Sequence, residues 1–122
     1  MFITEKYLKD NPNHIFVFGD NLLRKGTGGA AKLRFYENTY GFITKKTPSH
    51  DRQAYYTCNN YSEKFTSEMN NLIKEIVCNP KKLYLISKIG AGLANRFGIF
   101  EGVINPVIKV YLNKYNNVKF LW

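Results

Sequence analysis

Short apolar runs alternate along this chain with longer stretches of helical periodicity. His14-Ile-Phe-Val-Phe-Gly19 is a compact apolar run between turn residues, and its β-branched and aromatic content predicts a buried strand. Tyr40-Gly-Phe-Ile-Thr44, Leu83-Tyr-Leu-Ile-Ser87 and Val118-Lys-Phe-Leu-Trp122 predict three more. Phe65, Met69, Leu72, Ile73, Ile76 and Val77 recur at helical spacing, which predicts a helix over 62–78, with Ser62, Thr66 and Ser67 as alternative caps and Asn79-Pro80 as its stop. Val103, Val107, Ile108, Tyr111 and Leu112 mark a helix over 100–114, with Pro106 early, where a missing N–H costs least. Shorter helices are expected at 4–10 and, opened by Gly28, at 28–36, and the polar stretch 45–60 with Pro48 reads as a loop.

Strands separated by helices predict an α/β domain: a largely parallel sheet with helices on both faces and right-handed crossovers. The 122 residues show no repeat, low-complexity tract or linker, so one domain over 1–122 is expected. A hydrophobic content of 44%, with 16% aromatic, supports a real core and excludes a disordered chain. In such sheets ligands bind beyond the carboxyl ends of the strands. Two glycine-rich segments fall there.

The first is Gly19-Asp-Asn-Leu-Leu-Arg-Lys-Gly-Thr-Gly-Gly-Ala-Ala31. Glycines let a backbone approach a ligand closely, and free N–H groups where a helix opens favour a phosphate. The spacing matches neither the dinucleotide fingerprint nor a Walker A loop. The plainer reading is a tight strand-to-helix turn. The second is Ser87-Lys-Ile-Gly-Ala-Gly-Leu-Ala-Asn95, again directly after a strand. Either loop alone is weak evidence, but two at one sheet edge can clamp a diphosphate between them. A third segment, Thr44-Lys-Lys-Thr-Pro-Ser-His50, brings Lys45 and Lys46 to the same edge. A lysine there reads either as a solvated charge or as a nucleophile toward an anomeric or carbonyl carbon, and His50 reads more simply as a polar loop residue.

Eighteen Lys and Arg against nine Asp and Glu give a formal charge of +9, a surface that attracts polyanions without naming one. Cys58 and Cys78 form no CxxC pair and have no suitably spaced histidines, so no zinc or other metal site is expected, and two lone cysteines fit a reducing, cytoplasmic setting. No signal-like apolar core opens the sequence, and no apolar run is long enough to span a bilayer, so no membrane association is expected.

These segments resemble the macrodomain family, most closely its branch of terminal ADP-ribose protein glycohydrolases and DNA ADP-ribosyl glycohydrolase antitoxins. They are also similar to small macrodomain-like proteins carried by phages, for which a cytoplasmic, anti-defence role is the expectation. Tyr40–His50 resembles the branch's strand and loop bearing a catalytic lysine, Leu85–Leu93 its loop around the diphosphate and distal ribose, and Gly26–Ala31 the loop opening its first pocket helix. The resemblance runs in order from about residue 15 to the C-terminus. It implies a three-layer α/β/α sandwich, trimmed at the N-terminal edge because the family's early strand with its adenine-contacting acid is lacking, and a site for ADP-ribose or a related NAD-derived nucleotide. No cofactor is implied. Lys45 takes the place of the catalytic lysine, and Asp20 or Asn21 that of a polar residue beside the distal ribose. The ligand-contacting places fall to Gly19, Gly26, Thr27, Gly28, Gly29, Ala30, Thr44, Lys88, Ile89, Gly90, Ala91, Gly92, Leu93 and Asn95. The branch has an acid directly after its Gly-x-Gly-Leu; here that place is Ala94. Two activities follow as expectations: binding or sequestering the nucleotide, and removing ADP-ribosyl groups through Lys45. A basic protein acting on DNA or RNA, ADP-ribosylated DNA included, is the alternative, although no nucleic-acid-binding motif is visible.

Overall fold

Ile15-Phe-Val-Phe18 presents apolar side chains to both sides of its strand, and both sides are covered in the computed structural model, which describes residues 2–122. Four strands, β1 (His14–Asn21), β2 (Thr39–Lys45), β3 (Leu83–Ile86) and β4 (Val118–Phe120), form one sheet in the order β2-β1-β3-β4, every neighbouring pair parallel. Ile15 and Val17 pack with Tyr61, Phe65, Met69, Leu72 and Ile76 of helix α2 (Cys58–Cys78), and with Ile104, Ile108 and Leu112 beyond β3. Phe16 and Phe18 pack on the opposite face with Leu8 of helix α1 (Glu5–Asp10) and with Ala31 and Leu33 of a short 3-10 turn, Gly29–Leu33. The result is an α/β/α sandwich. A strand buried on both faces reads as an unbroken apolar run, which is the pattern of residues 15–18.

The chain leaves β1 toward the α1 face and leaves β3 toward the α2 face. β1 and β3 are neighbours, so their connections part in opposite directions and leave a crevice beyond their carboxyl ends.

The sequence-based elements differ from the observed ones at four places. Residues 28–36 form only the 3-10 turn Gly29–Leu33, because Gly29 has φ +57, outside the right-handed helical region. Helix α2 begins a turn earlier than expected, capped by Thr57 rather than by Ser62, Thr66 or Ser67. The Thr57 side chain accepts from Asn60 N at 3.4 Å and Asn60 Oδ1 accepts from Thr57 N at 2.8 Å, a reciprocal cap with Asn in the place usually held by Glu or Gln. The expected helix 100–114 is split into a π turn, Phe100–Ile104, and a short helix α3, Ile108–Leu112. Pro106 has no N–H to offer Gly102, and Asn105 N instead bonds back to Phe100 O at 2.7 Å. The loop 45–60 carries a 3-10 turn, Arg52–Ala54, tied to the sheet by a bridge between Lys45 and Tyr55.

Helix α2 also seals the outer edge of β2. Ile43 N donates to Glu68 Oε1 at 2.6 Å and the Tyr61 hydroxyl donates to Ile43 O at 2.5 Å, both buried. Burial beside Glu68 raises the Tyr61 phenol well above its ordinary range, so the hydroxyl stays a donor. An edge strand with its free groups taken by side chains is fixed in place, and with it Thr44 and Lys45. No helix among the described residues is long and apolar enough to cross a membrane.

Candidate functional site

A cavity of about 450 Å³ occupies the crevice where the connections from β1 and β3 diverge. That volume lies within the range of small-molecule sites, roughly 300–1,000 Å³. Its walls are the two glycine-rich loops. From the first come Gly19, Asp20, Asn21, Lys25 and the run Gly26–Ala31; from the second come Ser87, Lys88, Ile89, Gly90, Gly92, Leu93 and Ala94. The loop after β2 contributes Thr44, Lys45, Pro48 and His50. The loops close on one another. Leu93 Cδ1 lies 3.2 Å from where a Cβ on Gly28 would stand, and Pro48 Cβ stands 3.1 Å from the corresponding point on Gly26.

Both loops carry backbone donors without protein acceptors. Among the described residues, the N–H groups of Thr27, Gly28, Gly29 and Ala30 donate to no protein acceptor, and neither do those of Gly90, Gly92 and Leu93. Gly90 has φ +80, and a Cβ there would collide with Ile104 Cδ1, so this position needs glycine for both its dihedral angle and its space. Successive N–H groups around such a turn form an anion-binding concavity.

Asp20 and Asn21, read from the sequence as polar groups beside a ribose, serve the first loop itself. Arg34 binds both Asp20 oxygens, Nη2 to Oδ1 at 2.8 Å and Nη1 to Oδ2 at 3.1 Å, and Asn21 N donates to Oδ1 at 2.8 Å. Arg24 Nη1 approaches Oδ2 at 3.4 Å. Arg34 also donates to Gly26 O at 2.7 Å and to Lys25 O at 3.1 Å, so one guanidinium pins the loop to the end of β1. The Asn21 amide spans the same turn, donating to Lys25 O at 2.7 Å and accepting from Leu23 N at 3.1 Å.

Lys45 is buried at the end of β2, with Nζ donating to Ser49 O at 2.8 Å and lying 4.5 Å from the centre of the Tyr55 ring. An ammonium has three donors, and Ser49 O uses one. With Lys25 and Lys88 it makes the cavity wall cationic, while Asp20, the one carboxylate among the described lining residues, is neutralised by Arg34. Ala94 lies in the wall at the position where the resemblance calls for an acid.

Two of the residues read as ligand contacts stand outside the lining. Ala91 packs against the core, and Asn95 caps the following turn, accepting from Phe100 N at 3.0 Å and donating to Glu101 Oε1 at 2.9 Å. Conversely, the sequence reading omitted Lys25, Pro48 and Ser87 from the cavity and passed over His50 and Arg34. Arg34 carries a partial signal: an acid closing an apolar strand needs a cation, and Lys32 and Arg34 are the two cations in the Ala30–Tyr36 stretch.

These features define a doubly wound α/β domain with a glycine-walled, cationic cleft at the carboxyl edge of a parallel sheet. The chain belongs to a family described as "Family of unknown function (DUF7831)", whose model matches residues 1–95, a span that includes both loops. No curated protein and no solved structure matches it.

Proposed function

We propose that the cavity binds ADP-ribose or a related NAD-derived nucleotide, with the pyrophosphate held between the two glycine-rich loops. One observation carries this reading: residues 27–30 of one loop and Gly90, Gly92 and Leu93 of the other, whose backbone N–H groups donate to no protein acceptor among the described residues, line the same crevice. Such donors, with cationic Lys25, Lys45 and Lys88 around them, suit a compact dianion. The sequence resemblance to macrodomains supplies the ribose and adenine on either side of it.

The function proposed is binding and sequestration rather than turnover. Hydrolysis needs a general base within reach of a water. The cavity's carboxylate, Asp20, has both oxygens committed to Arg34, and Ala94 offers none. Lys45 then acts as a cation beside the ligand. The setting proposed is the cytoplasm, where Cys58 and Cys78 persist as thiols.

Calorimetry against ADP-ribose, NAD, AMP and short DNA tests the reading. Heat with ADP-ribose, weakened about tenfold or more in Lys45→Met, is the expected result. No heat with any nucleotide overturns it. Release of free ADP-ribose from a modified base or side chain by the wild type, lost in Lys45→Ala, replaces sequestration with catalysis.

A further inference from the structure

Three aromatic rings beside the cavity carry four cations. Arg52 and Arg96, on separate loops, both lie over Phe97, their guanidinium carbons 5.6 and 5.5 Å from the ring centre. Arg96 also lies 5.3 Å from the centre of the Tyr55 ring, which meets Phe97 edge-on at 6.3 Å. Lys45 Nζ sits over the same Tyr55 ring, and Lys46 Nζ lies over Tyr56 at 5.4 Å. Among the described residues, none of the four cations has a carboxylate within ion-pair reach. Asp51, beside Arg52 in the chain, pairs with neither arginine, and Asn95 holds the Glu101 carboxylate through contacts at 2.9 and 3.0 Å. Lys45 belongs to the cavity wall, whereas Arg52 and Arg96 stand outside it.

Most of the donors on the two arginines are free. Arg96 gives one N–H to His50 O at 3.4 Å, and Arg52 gives none to the described residues. Both side chains are exposed. A guanidinium presents a planar fork that matches a carboxylate with two parallel hydrogen bonds, and a fork already held over a ring loses little freedom in making them. The rings themselves are not open to a ligand. Tyr55 and Tyr56 are buried, and Phe97 is half-buried beneath two guanidiniums. A nucleic-acid strand gains affinity by stacking its bases on open aromatic faces, and here the protein's own cations lie over those faces. Arginine set among aromatic rings is instead the composition of the centre of a protein–protein contact. We infer that Arg52 and Arg96 form a docking surface for an acidic peptide segment of a partner protein, each guanidinium taking one Asp or Glu carboxylate.

The shared ring sets the pattern of that segment. Both guanidinium carbons lie within 5.6 Å of one ring centre. In an extended peptide, side chains two residues apart project to the same side about 7 Å apart, so two acids separated by one residue reach both forks. The surface does not depend on what the cavity holds.

The test uses the full chain and two labelled probes of equal charge, a peptide of alternating Glu and Thr and an oligothymidylate, in fluorescence-anisotropy titrations. The wild type is expected to bind the peptide more tightly than the oligothymidylate. Arg52→Gln/Arg96→Gln weakens peptide binding by about tenfold or more. Arg52→Lys/Arg96→Lys, which keeps the charge and loses the fork, weakens it by about threefold or more. Lys81→Gln/Lys82→Gln removes as much charge at the opposite, amino end of β3 and leaves the affinity within about twofold of wild type. Thermal melts of all three variants stay at the wild-type value, because every side chain replaced is exposed. Wild-type peptide affinity in either arginine double variant overturns the inference, and so does an equal loss in the Lys81/Lys82 control, which would reduce the effect to net charge. Absence of peptide binding by the wild type also overturns it. Tighter, arginine-dependent binding of the oligothymidylate overturns it in favour of a nucleic-acid surface.

Discussion

Replacing Arg34 by Met removes the guanidinium that joins Asp20 to the first glycine loop while keeping much of the side chain's apolar stem. The Asp20 side chain is 2% exposed and that of Arg34 9%. Breaking a buried ion pair from one side leaves an uncompensated charge and costs about 3–5 kcal/mol. Here Asn21 N and the more distant Arg24 still face the carboxylate, which points to the lower end, about 3 kcal/mol. At roughly 0.05–0.15 kcal/mol per residue for a whole domain, that is a large share of the total stability. Removing both charges in Asp20→Asn/Arg34→Met leaves no uncompensated buried carboxylate, so the double variant is more stable than Arg34→Met alone, with a coupling of about 1–3 kcal/mol. Urea unfolding of wild type, both single variants and the double variant measures that cycle. A loss under about 1 kcal/mol in Arg34→Met, or simple additivity in the double variant, refutes the claim that this pair anchors the loop.

Gly90→Ala meets both a left-handed dihedral angle and Ile104 Cδ1, and is expected to cost about 2–4 kcal/mol by urea unfolding; the cost is smaller in an Ile104→Ala background, where only the dihedral strain remains. Thr57→Ala removes the cap of α2 and lowers stability by about 1 kcal/mol in the same assay, whereas Ser62→Ala, inside the helix, changes it little. Burial, with Glu75 nearby, pushes the Tyr84 phenol up to about 12 from its ordinary 10, so the folded state holds its proton where the unfolded chain releases it. The Tyr84 contribution to stability is therefore constant below about 10 and is lost between 10 and 12, on an alkaline limb it shares with the likewise raised Tyr61, and Tyr84→Phe reduces the fall in that window; an unchanged alkaline limb in the variant contradicts the assignment.

The strands were legible because burial on both faces leaves unbroken apolar runs, which is how Ile15–Phe18 and Leu83–Ile86 announce themselves. Helix α2 was legible over most of its length from periodicity, but its first turn was not, since Thr57 and Asn60 form their cap with an unusual third residue and Tyr61 was not counted in the stripe. The break at 104–108 depends on a prolyl N–H that is missing in three dimensions: Pro106 looked harmless at the front of a helix and lies instead where one ends. At the site, glycine positions foretold two loops at one sheet edge. What the side chains do there was not legible. Asp20 and Asn21 carry ligand-like chemistry, and only their distances to Arg34 and Lys25 reveal that they brace the loop. His50 reaches the site through tertiary contacts that no local pattern encodes, and nothing local separates Arg34 from Lys32 as the partner of Asp20.

Amide resonances give the most direct test of a pyrophosphate clasped by two backbone loops. In a titration of the uniformly ¹⁵N-labelled protein with ADP-ribose, the account predicts that the amides of residues 27–30 and those of residues 90, 92 and 93 shift together, along one saturating curve. Shifts confined to one loop, or none in either, contradict it.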